Sequence, residues 1–136
     1  MFDLVCNTIM KLYTYANMTK MIHYSAKTDH EHKLCDDVKS ALESFADKLA
    51  EQYFGYYGKP SFSDFSLNQD VQKTDDLGKL CGHVINLTAL VRTKASKVDK
   101  LQGIVSLIDD FTGELNKLIF LTKFNNISSY KSKENI

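Results

Sequence analysis

Apolar residues recur every three or four positions along most of this chain, and only one proline, Pro60, occurs among its 136 residues. That combination confines the fold to helices. Val5, Ile9, Leu12, Ala16, Thr19 and His23 are spaced four, three, four, three and four apart, which sets them on one side of a helix expected over residues 3–26. Thr28-Asp29-His30-Glu31 follows, a threonine with a glutamate three positions on, the pattern of a capping box. The second helix starts there, carries Leu34, Val38, Leu42, Phe45, Leu49 and Tyr53, and is expected to stop at Gly55 or Gly58, ahead of Pro60. Leu77, Leu80, Val84, Leu87 and Val91 mark a third helix that breaks near Lys94-Ala95. After a weaker cap at Ser96-Lys97-Val98-Asp99, the stripe Leu101, Ile104, Ile108, Phe111, Leu115 and Leu118 marks a fourth. The segment from Lys59 to Leu67 has no helical period, and its Phe62, Phe65 and Leu67 are expected to find burial, which makes it an ordered crossover.

Two hairpins with short turns, joined by one long connection, predict an all-α four-helix bundle with a single long crossover, the ferritin-like arrangement. A plain up-down bundle with a loose middle loop is the alternative. One domain is expected over residues 1–124, with a polar tail over 125–136 that frays. Six glycines and one proline are too few for the many tight turns of a sandwich or barrel. Seventeen basic residues cancel seventeen acidic ones, which removes the electrostatic footprint of a nucleic-acid binder. Cys6, Cys35 and Cys81 have no CxxC spacing, so neither a disulfide framework nor a zinc cluster is readable, and a reducing compartment follows. With no apolar stretch near ~20 residues and no secretory pattern at Met1-Phe2-Asp3-Leu4, the expectation is a cytoplasmic protein without a membrane partner.

No Ser-His-Asp order, Walker loop, dinucleotide fingerprint or HExxH occurs, so the reading leans away from an enzyme and requires no cofactor. Two constellations carry chemistry. The first holds His23, His30, His32, Asp47 and Glu51. Asp47 and Glu51 lie one helical turn apart, their carboxylates side by side. His32 precedes Asp47 by fifteen residues, about 22 Å along one helix, so a single chain cannot join them. A two-fold axis that lays the second helix antiparallel to its copy can. The second constellation is aromatic: Tyr13, Tyr15, Tyr24, Tyr53, Phe54, Tyr56 and Tyr57, with Lys20, Lys27 and Lys59 nearby. Tyrosines offer flat faces to a nucleobase, while lysine and histidine suit phosphates. Each of these residues also has a plainer reading, as core, interface or solvated helix face.

The run His23-Tyr24-Ser25-Ala26-Lys27, then His32, then Asp47-Lys48-Leu49-Ala50-Glu51, resembles the iron-site signature of Dps proteins, ferritin-like mini-ferritins that bind iron between two-fold-related subunits. The resemblance spans about residues 12–55. It implies that His23 and His32 of one subunit and Asp47 and Glu51 of its partner are ligands, with iron as the metal. The chain departs from that pattern in three places. The stretch from His23 to His32 is three residues shorter, Tyr24 stands where the family has tryptophan, and Thr28-Asp29-His30 replaces a glycine-phenylalanine turn. A lysine-rich amino-terminal arm is also missing, so a DNA-coating role is not implied. The whole chain is similar, further, to a small helical family of large tailed bacteriophages.

Three functional readings follow. The first is a phage-encoded, non-enzymatic homo-oligomer built from two-fold dimers, which sequesters a small anionic ligand, a host nucleotide immune signal, as an anti-defence sponge. Its pocket would use His23, Tyr24, Lys27, His30, Tyr53, Tyr56, Tyr57 and Lys59. The second is a Dps-like metal-binding protein or ferroxidase using His23, His32, Asp47 and Glu51. The third is a structural or host-protein-binding bundle.

Overall fold

The computed structural model describes residues 1–124; the polar tail expected over 125–136 lies outside the described residues. Four helices account for most of them: α1 Phe2–Ser25, α2 Asp29–Tyr57, α3 Leu77–Ala95 and α4 Gln102–Thr122. Among the described residues there is no strand. The apolar stripes read from the sequence point inward. Val5, Leu12, Val38, Leu42, Leu49, Leu80, Val84, Val91 and Leu115 are fully buried, and the Phe45 and Phe111 rings lie parallel at 4.0 Å between centroids where α2 meets α4.

Each helix boundary has a local cause. Thr28, in an extended conformation, accepts the Glu31 amide on its hydroxyl at 3.1 Å, which satisfies one orphan donor of α2. At the other end Gly58 takes φ 118°, a conformation that side chains disfavour, and its N–H closes on the Phe54 carbonyl at 2.9 Å. Asp76 caps α3 by accepting the Lys79 amide at 2.9 Å. The start of α4 departs from expectation. Ser96 ends α3 and donates its hydroxyl back to the Thr93 carbonyl, so it caps nothing ahead of it. A 3-10 turn over Asp99–Leu101 leads into α4, and the Gln102 amide ties it down by donating to the Ser96 and Val98 carbonyls.

The connection from Gly58 to Asp76 runs the length of the bundle. At one end Phe2 stacks on Tyr57 at 4.5 Å and Gly103 faces the Gln52 side chain. At the other end His30 reaches the Leu121 carbonyl and Gly78 faces Thr122. Thus α2 and α3 run parallel, and each helix packs against antiparallel neighbours: α1 against α2 and α3, and α4 against α2 and α3. On the α3–α4 side the Arg92 guanidinium holds the Asp109 carboxylate with two hydrogen bonds, 2.6 and 3.1 Å.

The crossover buries less than its sequence suggests. Phe65 packs edge-on against Phe54 at 6.0 Å, but Phe62 is 94% exposed and Leu67 86% exposed. The four helices already close the core around their own stripes, so a connection lying along α1 offers only one flank to the bundle. Phe62 lies in a 3-10 turn, Phe62–Asp64, fixed by the Ser61 amide donating to the Asp64 carboxylate at 2.7 Å and the Asp64 amide to the Ser61 carbonyl at 3.0 Å.

Candidate functional site

The three-residue turn between α1 and α2 folds the last turn of one helix onto the first turn of the next. His23 and His32 meet there, with ring centroids 3.7 Å apart. His23 Nδ1 lies 2.9 Å from the His32 carbonyl and His32 Nδ1 lies 3.3 Å from the His23 carbonyl. A carbonyl only accepts, so both Nδ1 atoms donate, and the tautomer that this selects holds its lone pair on Nε2. The Asp36 carboxylate, one turn beyond His32, stands 3.5 Å from His23 Nδ1. The sequence reading omitted Asp36, although its spacing of four from His32 places it on the same face.

His30 goes elsewhere. Its Nε2–H donates to the Leu121 carbonyl at 2.9 Å, beside the Phe124 amide that the same oxygen accepts at 3.3 Å, and so joins the last turn of α4 to the start of α2. Tyr24 is 76% exposed, with the Lys20 ammonium 5.5 Å from its ring centre and the His23 ring edge-on at 5.7 Å. Lys27 is exposed and lines an open cleft of about 420 Å³ with Glu31, Asp75 and Asp76, so its charge sits among carboxylates.

At the far end of α2 the aromatic residues divide. Tyr53 is 2% exposed, enclosed by Phe2, Phe54 and Tyr57, and burial pushes its hydroxyl pKa up; it belongs to the core and offers no face to a ligand. Tyr56 and Tyr57 are about half exposed, and Lys59 is exposed beside them. Since α2 has 29 residues, this end lies about 43 Å from the α1–α2 corner.

Asp47 and Glu51 are both exposed, one turn apart on α2. His32, Asp36, Lys39, Glu43 and Asp47 follow at spacings of four, three, four and four, so they form one stripe along the border with α1. Tyr13 of α1 faces that border: burial and then the Asp47 and Glu43 carboxylates raise its hydroxyl pKa. Lys39 and Glu43 form an ion pair at 2.7 Å midway along the stripe. Among the described residues no three His, Cys, Asp or Glu side chains come close enough to hold a metal ion. The structure thus joins His23 with His32 and leaves Asp47 and Glu51 far from them on the same chain.

The three cysteines are free and buried. Burial, and then the Glu31 and Asp36 carboxylates for Cys35 and the Cys35 thiol and Asp76 carboxylate for Cys81, push both thiols up to about 12, which makes them inert. Among the described residues no helix is long and apolar enough to cross a membrane. Comparison with protein-family models, with curated proteins and with solved structures finds no match for this chain.

Proposed function

We propose that this chain is a homo-oligomeric metal-binding protein whose site is shared between two copies, with His23 and His32 supplied by one subunit and Asp47 and Glu51 by the other. The histidine pair carries the reading. Two imidazoles whose Nδ1–H groups are anchored on main-chain carbonyls present Nε2 lone pairs from a fixed position, which is how metal-binding histidines are held in general. Imidazole nitrogens with carboxylate oxygens suit a divalent first-row cation such as iron or zinc. An antiparallel second copy supplies the missing oxygens. The midpoint between His32 and the Asp47–Glu51 pair falls at Lys39–Glu43, so the same two-fold operation sets Lys39 of each copy against Glu43 of the other. Protein purified without chelator should carry near-stoichiometric metal, and Asp47→Ala with Glu51→Ala should remove it while leaving the fold intact. Retention of all metal by that double variant rejects the site.

A second reading rests on Tyr24. An aromatic ring 76% exposed with an ammonium over it, and exposed Tyr56, Tyr57 and Lys59 at the opposite end of α2, suit capture of a nucleotide between antiparallel copies, the sequestering role. His30 and Tyr53 are engaged in the fold and Lys27 is set among carboxylates, so three of the eight groups named for this pocket are taken up elsewhere. Calorimetry with cyclic dinucleotides and ADP-ribose derivatives tests it; the reading requires heat that Tyr24→Ala abolishes and a ligand released unchanged on denaturation.

A further inference from the structure

The crossover holds Phe62 in a place that its own chain does not cover. The ring is 94% exposed, yet its backbone is fixed by the reciprocal Ser61–Asp64 hydrogen bonds, and Leu67, five residues on, is 86% exposed. Single exposed apolar residues are ordinary on protein surfaces, but an aromatic ring presented on a hydrogen-bonded turn with a second large apolar side chain beside it in sequence marks a contact surface. At the other end of the same edge lies an apolar groove of about 530 Å³, floored by the buried Met18 and Ile22, walled by the 56% exposed Met21, and bordered by Lys73 and Asp75 of the crossover. A cavity of about 150 Å³ accepts a benzene ring, so the groove has room for both Phe62 and Leu67. Methionine walls adapt to such an insert.

The chain cannot fill its own groove with Phe62. The Phe62 turn lies near the start of α1, where Asp64 is close enough to raise the Cys6 thiol pKa, whereas Met21 is fifteen residues further along that helix, about 22 Å away. The charges of a second copy match, however. Lys59 and Asp64 flank Phe62, and Asp75 and Lys73 border the groove, so insertion pairs each ammonium with a carboxylate.

We propose that Phe62 and Leu67 of one copy insert into the Met18–Met21–Ile22 groove of a second, a head-to-tail contact distinct from the two-fold pairing of the metal site and independent of it. Because the knob and the groove are different surfaces, the contact is heterologous and propagates beyond a pair. The test is complementation. Phe62→Asp removes the knob and Met21→Asp blocks the groove, and both positions are exposed, so both variants should keep the wild-type melting temperature. In light scattering the wild type should gain mass with concentration, and each variant should lose that growth, its association weakened by about tenfold or more. An equimolar mixture, in which one variant retains the groove and the other the knob, should gain mass again, to a fixed size. Three results overturn the proposal: no growth in the wild type, growth unchanged in either variant, or a mixture no larger than its components. All are read from mass in metal-free buffer, so loss of the metal site does not decide them.

Discussion

Replacing Phe45 by alanine should remove the centre of the seam that holds α2, the helix carrying His32, Asp47 and Glu51, against α4. Phe45 is 3% exposed and Phe111 4% exposed, their rings 4.0 Å apart and 4° from parallel. Truncation of a buried phenylalanine costs about 3–5 kcal/mol, the lost transfer energy plus the cavity that the helices cannot close. Against a total stability of about 5–15 kcal/mol for a domain of ordinary size, that is about a fifth of the whole or more. The midpoint should fall by roughly 10–20 °C, followed by circular dichroism, with a matching shift in urea. Phe111→Ala should cost a similar amount, and the double variant should fall short of their sum by about 0.5–1.5 kcal/mol, the coupling of an aromatic pair. A loss below about 1 kcal/mol for Phe45→Ala, several times smaller than a buried ring should cost, would mean that α2 and α4 do not share this core.

Other outcomes follow from single residues. Gly58→Ala should destabilise by about 1–3 kcal/mol because φ 118° suits glycine alone, whereas Gly55→Ala, three residues earlier with open space at its Cβ, should stabilise by about 0.5–1 kcal/mol; urea titration separates the signs. Thr8 is 1% exposed and its hydroxyl lacks a partner among the described residues, so Thr8→Val should gain about 1 kcal/mol in the same assay. The Arg92 hydrogen bond holds the Asp109 carboxyl below its ordinary value of 3.8. A depressed folded-state pKa contributes stability above the unfolded value, lost as pH falls through the folded one, so any gap in melting temperature between wild type and Asp109→Asn should be complete at neutral pH and close in that acid window. Iodoacetamide should leave Cys35 and Cys81 unmodified in the native protein and alkylate them in denaturant, as their thiols sit at about 12 when folded.

The helices were legible because their signals are local. The Thr28 cap and the Gly58 stop depend on a few neighbouring residues, and the four stripes on a spacing that any helix imposes. Where a side chain's fate depends on how much surface its neighbours have left, the pattern misleads: Phe62 and Leu67 look like core residues by type, and only the closed four-helix core shows that no place remains for them. Leu87 likewise stands half-buried at the edge of α3 while Thr88 takes the inward position. At the site, the distance between His32 and Asp47 is readable by counting residues along one helix. The meeting of His23 with His32, and the removal of His30 to α4, depend on the turn geometry and on a carbonyl 91 positions away, and neither is written in spacing.

Subunit mixing tests the shared metal site most directly. One variant carries His23→Ala and His32→Ala, the other Asp47→Ala and Glu51→Ala, and each is purified, loaded with Fe(II) or Zn(II) under anaerobic conditions, and assayed for bound metal. A site shared across a two-fold axis predicts no stoichiometric metal on either variant alone. After mixing and reassociation, half of random pairs are mixed and each mixed pair holds one intact site of two, so about a quarter of the wild-type metal content should return. Full binding by either variant alone, or none in the mixture once mixed pairs are present, contradicts a metal held between two copies of this chain.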